Sequence, residues 1–461
     1  MFISLLLTLV LSAEGQEDSL KSVRAYADAM VAHSQGSPPL FAETLDRQTM
    51  RLLEGPLLKK AAAMGYDEWG IRAHDRMLNG ANPQHDQNLY QILYALTQVT
   101  GNPKYAAAAD RSLKFFLESC QAPATGLYYW GEHAGWDLST NRPGKYSSGD
   151  THEFFRPWVL WDKCWKLAPD SCRRFAQGLW EHQIGDHQTG AYSRHAAISK
   201  HGPGTTAPYP RHGGMYLETW AKAYAQTKDP LFLKAVETLV DGLEENRRNG
   251  GLTTSRNRDP QQPSGILFDV SLAISLGEAA PLLPEPAAGK LRDIAAQHDA
   301  EYTKAKTTNP LKIAPDANLW SDGYGGAGGE IASQACTAMV RYRQVGGGAY
   351  RQTVLDSAAA YLDRDIQLSF PIYPGTLGKV ILLMLNAHQL SGEAKYLDRA
   401  GKLAVQSATL FLNGSPLPKA THLHNHYEAI TMGDTLMMAL LQLWAVRQKP
   451  PIKLSLIFND R

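Results

Sequence analysis

The feature that most limits the fold of this chain is a repeated helical hairpin. An apolar helix, a short turn containing Gly, Asp or Pro, and a second helix opening with an aromatic residue or Pro recur along the sequence. The clear copies lie at residues 93–117, 158–180, 219–243, 335–362 and 380–412, and a weaker copy lies at residues 266–297. The alternation typical of strands is scarce. The pattern therefore predicts an all-α chain built from packed helical hairpins.

The first helix of each hairpin follows a loop rich in Gly, Pro or His, and these loops recur at intervals of roughly 50 to 70 residues. The seven starts fall near His85, His152, Gly214, Ile266, Gly328, Thr376 and Tyr427. The seventh start leads into residues 430–446, after which too little chain remains for an outer partner. The amphipathic residues 20–33 can supply that partner and close a ring. We predict an α/α toroid of seven hairpins, with six as the alternative count.

The beginning of the chain is typical of an export signal. An apolar run from Phe2 to Leu11 is followed by small residues such as Ala13 and Gly15, and it is too short to span a membrane. We therefore predict a signal peptide at residues 1–15, a single catalytic toroid domain at residues 16–461, and a secreted or periplasmic location. Cys164 and Cys172 flank a predicted turn, where they form either a disulfide clip or two buried thiols.

The charge balance of the chain does not favour a nucleic-acid or membrane-surface partner. The chain has 46 basic and 45 acidic residues, so bulk electrostatics favours neither nucleic acid nor a membrane surface. The oligomeric state is not predicted by any feature of the sequence. Recognition of a ligand must therefore depend on local groups.

Those local groups lie in the loops between helices. The inner helices of a toroid point the same way, so their N-terminal loops meet on one rim, where free N–H groups and helix dipoles favour anions. These loops carry His85, Asp86, Asn88, His152, Arg156, Arg211, His212, Tyr216, Trp320, Asp322, Tyr324, Asn425 and His426. Two further loops repeat a Thr-Gly-x-Tyr pattern and lead into Trp130 with His133, and into Tyr192, Arg194 and His195. A buried structural role accounts for any one of these residues. It does not account for their recurrence at the same position, just before or at the start of successive inner helices.

Cofactor signals are weak. We expect no cofactor, and His422, His424 and His426 are the place where a divalent metal would bind, since they alternate in a loop. No carboxylate or thiol stands near them at a standard ligand spacing. A serine nucleophile in a glycine elbow is also missing from the sequence.

Two reaction classes compete for such a rim. A glycosidase needs two carboxyl groups across the scissile bond, and Asp86, Glu132, Asp150, Glu153 and Asp186 are available. A lyase acting on a uronic acid needs cations to neutralise the carboxylate, and a His or Tyr to move the proton. The rim has more of the cationic, His and Tyr side chains that a lyase needs. Among the carboxylates, Asp150 and Glu153 are explained as a capping box at the start of a helix.

On these residues the chain resembles the α/α-toroid polysaccharide lyases, and the hairpin count is most similar to the family 38 lyases of glucuronan and alginate. In toroid alginate lyases a His, often preceded by Asn, is followed by an Arg and a Tyr. Here His152 is followed by Arg211 and Tyr216, although Thr151 precedes it. His133 followed by Tyr192 and Arg194 fits almost as well.

The resemblance implies a secreted lyase that cleaves a uronic-acid polysaccharide by β-elimination. His152 or Tyr216 would remove the C5 proton, Tyr216 or a neighbouring Tyr would protonate the leaving oxygen, and Arg211 with His212 would stabilise the carboxylate. The expected substrate-binding residues are His85, Asp86, Asn88, Trp130, His133, Arg156, Tyr192, Arg194, His195, Asn425 and His426. Two alternatives stay open: an α/α-toroid hydrolase of uronyl oligosaccharides that uses Asp and Glu, and a non-catalytic glycan-binding protein.

Overall fold

A computed structural model describes residues 19–144, 150–204, 209–248, 263–308, 311–313, 317–320 and 331–461, without the side chains of residues 246–248 and 263–269. The predicted signal peptide at residues 1–15, and the rim residues Asp322 and Tyr324, lie outside these ranges. Within them, no helix combines the length and the apolar character that a membrane crossing requires.

Helices account for most of the described chain. The first, α1, covers residues 19–33 as far as it is described. The others are α2 (Gly55–Ala63), α3 (Tyr66–Trp69), α4 (Gln87–Thr100), α5 (Lys104–Ser119), α6 (Trp161–Leu167), α7 (Pro169–Gln183), α8 (Pro210–Thr227), α9 (Pro230–Arg248), α10 (Pro263–Ala279), α11 (Ala287–Thr308), α12 (Ile331–Val345), α13 (Gly348–Ala360), α14 (Pro374–Ser391), α15 (Ala394–Ser407) and α16 (Gly433–Arg447).

The predicted hairpins are present, and their turns have the expected chemistry. Gly101 and Gly392 end α4 and α14 in the left-handed conformation that glycine adopts without strain. Pro169 and Pro230 begin α7 and α9, where a missing backbone N–H costs nothing. The six hairpins run from α4/α5 to α14/α15. In each of them the first helix ends, and the second begins, close to the turn that the sequence predicts.

The hairpins form a ring. The inner helices are α4, α6, α8, α10, α12, α14 and α16, and α16 packs against both α14 and α4 to close the circuit. On the outside, the hydroxyl of Tyr26 in α1 lies 3.2 Å from that of Tyr427, and Asp28 pairs with Lys104 of α5. The fold is thus the predicted α/α toroid, with α1 supplying the outer partner that α16 lacks.

Short paired strands tie the loops of the rim together. They are β1 (Thr44–Leu45), β2 (Gly80–Ala81), β3 (Trp136–Asp137), β4 (Arg142–Pro143), β5 (Thr151–His152), β6 (Ile184–Asp186), β7 (Ala191–Tyr192), β8 (Ala196–Ala197) and β9 (Tyr427–Glu428). All pair antiparallel: β1 with β9, β2 with β3, β3 with β4, β5 with β8, and β6 with β7.

One local expectation is wrong, and one of two open alternatives is found. Asp150 and Glu153 do not cap a helix, because β5 lies between them and α6 begins only at Trp161. Cys164 and Cys172 are buried free thiols, so no disulfide clips the α6/α7 hairpin.

The chain after α16 is extended and returns to the ring. The amide of Gln98 donates to the carbonyl of Lys453, and the backbone N–H of Ile457 donates to Gln91, so this segment follows α4. Residues 459–461 are then fully buried. They lie among α10, α12 and α14, in the space enclosed by the inner helices, which we call the lumen.

Candidate active site

A dense cluster of charged side chains lies where five rim segments meet. The segments are residues 72–75, residues 131–133, residues 152–153 at the end of β5, residues 194–195, and residues 211–212 at the start of α8. They contribute imidazoles, guanidinium groups and carboxylates that contact one another.

Glu153 is the centre of this cluster, with 1% of its surface exposed. Nε2 of His133 lies 3.2 Å from Oε2, Nε2 of His212 lies 3.2 Å from Oε1, and Nε2 of His195 bonds Oε2. Nη1 of Arg194 lies 3.6 Å from Oε1. Burial alone would raise the pKa of Glu153, but these hydrogen bonds hold it well below its ordinary value. Glu153 is therefore an anion, and we refer to these five residues as the Glu153 cluster.

A second carboxylate holds the other side of His133. Nδ1 of His133 lies 3.1 Å from Oδ1 of Asp75. Burial would lower the pKa of this histidine, but its two carboxylate partners raise that pKa to about 9. Arg72 bonds Asp75 at 2.6 Å and also bonds Glu132, so the carboxylates beside His133 are held by a cation that is itself partly exposed.

The loop that carries Glu132 and His133 depends on a close backbone approach. Gly131 has φ +104°, and a Cβ at this position would overlap the carbonyl oxygen of Glu153. The side chain of Asn82 accepts from the backbone N–H of Gly131 and donates to its carbonyl. Glycine is required here because only a residue without a Cβ lets the two loops touch.

Cationic and aromatic groups form the wall beside the cluster. The guanidinium of Arg194 stacks 4.5 Å above the ring of Tyr209, whose carbonyl accepts a hydrogen bond from the hydroxyl of Tyr192. Arg211 is buried, which lowers its pKa, while the charges of Glu132 and Glu153 oppose that effect. This wall presents positive charge next to the carboxylate of Glu153.

The geometry of three of these side chains suits a metal ion. One ligand atom each from His133, Glu153 and His195 lies within 4.8 Å of the others. Two imidazoles and one carboxylate are ligands for divalent transition metals. The bond from Asp75 to the other nitrogen of His133 is the outer contact that usually orients such a ligand. Asp75, Glu132 and His133 form a second, overlapping group.

Six of the predicted site residues are brought together here. They are His133, Tyr192, Arg194, His195, Arg211 and His212.

Two of the predicted catalytic residues do not fit the roles expected of them. Nε2 of His152 accepts from the indole of Trp130 and its Nδ1 faces Gln183, and burial lowers the pKa of this histidine to about 4. Tyr216 is fully buried and donates to the carbonyl of Ser193, and burial raises its pKa well above the ordinary value. These side chains are packed in the core, as is Trp130, so they are not placed to touch a substrate.

Three predicted substrate-binding residues lie instead at the seam between α4 and α16. Nδ1 of His85 is 2.8 Å from Glu43, and burial lowers its pKa to about 3. Asp86 is fully buried, which raises its pKa. The backbone N–H of Asn88 donates to Asp434 of α16. These contacts join the first and last inner helices.

The last three predicted substrate-binding residues also lie outside the cluster. Arg156 faces the lumen, with its Nε 3.3 Å from Asp460. His426 bonds Glu428 at 2.8 Å, and Asn425 accepts a hydrogen bond from Arg47.

The predicted metal location near His426 is not supported by ligand geometry. Nδ1 of His422 accepts from the backbone of Ile372, and Nδ1 of His424 bonds Thr421. Among the residues that the structure describes, these histidines form no group of converging ligand atoms.

Sequence reasoning missed the acidic half of the cluster. Glu153 was interpreted as a helix cap and Glu132 only as one available carboxylate. Asp75 and Arg72 lie in and before a short 3-10 turn, where nothing in the sequence distinguishes them from surface charges. The position of Glu153 directly after His152, the last residue of β5, was the available signal, since neighbouring residues of an extended segment point to opposite faces.

Residues 64–240 match a family model described as periplasmic pectate lyase. This segment contains every residue of the Glu153 cluster and both Asp75 and Arg211. A pectate disaccharide-lyase from Dickeya dadantii (strain 3937) is 24% identical over 168 residues, which is 36% of this chain and 30% of that protein. The match thus spans less than a third of the relative.

Solved structures with similar helical architecture are more distant. A sugar epimerase from a ruminal bacterium has a TM-score of 0.45 and 12% identity over 71% of this chain and 94% of its own. An unsaturated glucuronyl hydrolase specific for heparin has a TM-score of 0.42 and 12% identity over 95% of this chain and 100% of its own. Likenesses of this size do not bear on activity.

Proposed function

We propose that this chain is a polysaccharide lyase that cleaves a polyuronate of the pectate type by β-elimination at the Glu153 cluster. The single observation that supports this proposal is the convergence of His133, Glu153 and His195 beside Arg194 and Arg211, within the segment that matches the pectate lyase model. We further propose export to the periplasm or the outside of the cell, as the name of that family model suggests.

The reaction needs three functions from the site. The substrate carboxylate must be neutralised so that the adjacent C5–H becomes acidic, a base must take that proton, and the oxygen at C4 must leave with a proton. The product then carries a C4–C5 double bond conjugated with its carboxylate. A divalent cation held by His133, Glu153 and His195 would supply positive charge at the substrate carboxylate.

The protein groups around these ligands orient the substrate. Arg211 and Arg194 present guanidinium groups on one side, which suit bidentate binding of a uronate carboxylate. Asp75 lies 3.1 Å from Nδ1 of His133, and Nε2 of His212 lies 3.2 Å from Oε1 of Glu153 on the opposite side. These contacts hold the charged groups in place before the substrate arrives, so little reorganisation is needed during the reaction.

His74, beside the cluster, is the candidate to accept the C5 proton, because a neutral imidazole can take one, whereas the guanidinium of Arg194 is a candidate to bind the substrate carboxylate. The side chain of His74 is 41% exposed and lies 3.4 Å from Asp75, and that of Arg194 is 26% exposed. Replacing each separately, as His74→Ala and Arg194→Ala, distinguishes them. Loss of the base lowers kcat while substrate affinity changes less, whereas loss of a binding group raises KM.

A glycoside hydrolase is the second candidate, because the pKa values of two neighbouring carboxyl groups diverge. Burial and the charge of Glu153 raise the pKa of Glu132, whereas hydrogen bonds lower the pKa of Glu153 despite its burial. Such a pair resembles the acid and the base of a glycosidase. Glu153, however, is enclosed by its three histidines, which leaves little access for a water or a sugar.

The products decide between these functions. The enzyme is incubated with polygalacturonate, glucuronan and alginate, and the ultraviolet absorbance of an unsaturated uronate is recorded with mass analysis of the products. We expect unsaturated oligosaccharides, with polygalacturonate cleaved fastest. Saturated products that disappear in Glu132→Gln would establish the hydrolase, and no cleavage of any polyuronate would contradict both enzymes.

A further inference from the structure

The residues at positions 459–461 occupy the lumen of the ring and are fully buried. Their contacts come from several inner helices: Ser333 in α12, Lys379 in α14, and Ser275 with Glu278 in α10. Arg156, from the loop before α6, reaches the same segment from across the ring, so residues 459–461 lie inside the ring. The lumen therefore contains a charged peptide rather than apolar side chains.

The carboxylate of Asp460 is held by three buried groups. Nζ of Lys379 lies 3.1 Å from Oδ2, Oγ of Ser333 donates to the same oxygen at 2.9 Å, and Nε of Arg156 lies 3.3 Å from Oδ1. Lys379 and Asp460 have no exposed surface, and Arg156 is 1% exposed. Two buried cations and a hydroxyl directed at one carboxylate form a built anion site.

Arg156 retains unused capacity for an anion. Among the described residues, its Nη1 and Nη2 make no hydrogen bond, although both atoms are buried. A guanidinium normally pairs two of its nitrogens with a carboxylate. Asp434 is within electrostatic reach of Arg156, but it accepts the backbone N–H groups of Asn88 and Leu89. Asp460 therefore uses only part of the hydrogen-bonding capacity of the Arg156 guanidinium.

The anion site is connected to the Glu153 cluster. Arg156 follows Glu153 by three residues in the same loop. The guanidinium of Arg211 interacts electrostatically with Glu153 and also with Asp460, so it lies within electrostatic range of both sites. Consecutive sugars of a polyuronate each carry a carboxylate, which a second anion site close to the first would match.

We propose that Arg156, Lys379 and Ser333 form a second carboxylate-binding subsite in the lumen, and that Asp460 is an intramolecular ligand that occupies it. Withdrawal of residues 459–461 opens the subsite to the carboxylate of a uronic acid. The anion site itself rests on the contacts of Asp460, while its uronate ligand rests on the proposed function. Asp460 then competes with an external carboxylate for this subsite, and so limits binding of the substrate in the lumen.

The test removes the internal carboxylate and supplies an external one. Asp460→Ala is compared with the unmodified protein by thermal unfolding in sodium chloride and in sodium acetate of equal ionic strength. An anion that binds only the folded state raises Tm in a saturable way. We expect acetate to raise the Tm of Asp460→Ala and not that of the unmodified protein. The added substitution Lys379→Met should abolish the rise.

A matched control separates the subsite from a general effect of unpaired cations. Asp299 pairs with Nε and Nη2 of the buried Arg341 at 2.9 and 2.7 Å, and these contacts lie away from the lumen. If acetate stabilises Asp299→Ala as much as Asp460→Ala, or stabilises the unmodified protein equally, the proposal is overturned. It is also overturned if acetate has no effect on Asp460→Ala. Should Asp460→Ala fail to fold in chloride, recovery of folded protein in acetate supports the subsite, and no recovery contradicts it.

The ligand class is tested with sugars in the same assay. We expect D-galacturonate to stabilise Asp460→Ala at lower concentrations than acetate, and D-galactose to have no effect. We also expect Asp460→Ala to have a lower KM for trigalacturonate than the unmodified protein. Stabilisation by acetate without any lyase activity would leave the anion subsite in place and remove the proposed function. Equal effects of galacturonate and galactose would overturn the assignment of uronate as the ligand.

Discussion

Glu153 is a buried carboxylate surrounded by three imidazoles and a guanidinium. Removing one partner of a buried charged group typically costs about 3 to 5 kcal/mol, because the remaining charges are left uncompensated. Since the ligand and orienting groups of the proposed reaction all depend on this one anion, its replacement is the most informative single substitution in the site.

Glu153→Gln keeps the size of the side chain and removes its charge. We expect the rate of lyase product formation to fall by at least about 100-fold, because both the ligand set and its electrostatic balance are lost. Asp150→Asn is the matched control, since Asp150 is exposed and its carboxylate accepts hydrogen bonds from the backbone N–H and the hydroxyl of Ser199, outside the Glu153 cluster. The control should change stability by less than about 0.5 kcal/mol. A Glu153→Gln enzyme with the unmodified rate would contradict the proposed site.

Tyr216→Phe tests a role that the sequence suggested and the burial of the side chain opposes. The hydroxyl donates to the carbonyl of Ser193, which also accepts from Gln183. We therefore expect a loss of about 1 kcal/mol or less in unfolding free energy and an activity close to that of the unmodified enzyme. Urea unfolding and the rate of unsaturated product formation check both parts. Abolished activity in a stably folded variant would restore Tyr216 as an acid or base.

The sequence located the polar residues of the site better than their roles. Arg194 with His195, and Arg211 with His212, are neighbouring pairs, so naming the loop was enough to name the residues. His152, the last residue of β5, and Glu153, which follows it, are also neighbours, but the sequence does not show which of the two side chains faces the rim. Asp75 reaches the site through contacts between distant segments, for which a single sequence carries no local signal.

At the scale of elements, the approach of two loops sets the geometry of the cluster. Gly131→Ala would place a Cβ against the carbonyl of Glu153, so the loop carrying His133 must shift. We expect a clear loss of lyase activity and weaker binding of a divalent cation, measured by calorimetry. Gly414→Ala is the control, because Gly414 has φ +77° and open space around it. If both variants lose the same activity, backbone strain rather than loop contact is the cause.

A buried ion pair connects the segment after Asp75 to β9. Arg76 donates from Nε and Nη2 to the two oxygens of Glu428 at 2.6 and 2.8 Å. Burial alone would raise the pKa of Glu428, but Arg76 lowers it to about 2. A depressed carboxyl pKa stabilises the fold above the unfolded value near 4.5, and this contribution is lost as the pH falls towards 2.

Glu428→Gln should therefore be less stable than the unmodified protein at neutral pH, by about 3 to 5 kcal/mol, since Arg76 loses its counter-charge. The difference in free energy of unfolding should narrow between about pH 5 and about pH 2, because only the unmodified protein loses the contribution there. Urea unfolding of both proteins across this pH range measures the difference in their free energies of unfolding. Parallel stability curves for the two proteins would show that the ion pair does not titrate as described.

Helical elements were predictable because their signals are local. Apolar periodicity, Gly after α4 and α14, and Pro at the start of α7 and α9 all lie within a few residues of the boundaries they determine. The strands of the rim were not predictable in the same way. β1 pairs with β9 across most of the chain, and each strand has only two or three residues, so neither length nor alternation reveals it.

For the whole molecule, the ring closed as the repeat predicts, with α16 packed on α4 and α1 on the outside. The buried position of residues 459–461 was not predictable. Asn, Asp and Arg at the end of a sequence are ordinary surface residues, and only the polar lumen lined by Lys379 and Arg156 makes their burial favourable.

The central claim is that a divalent cation held by the Glu153 cluster supports β-elimination of a polyuronate. It is tested most directly by the rate of unsaturated product formation from polygalacturonate after treatment with a chelator, and then during titration with divalent cations. We predict that the stripped enzyme is inactive and regains activity saturably, while His195→Ala does not regain it. His187→Ala, which replaces an exposed histidine bonded to Trp180, should behave like the unmodified enzyme. Full activity in the stripped enzyme, or saturated products in place of unsaturated ones, would contradict the account.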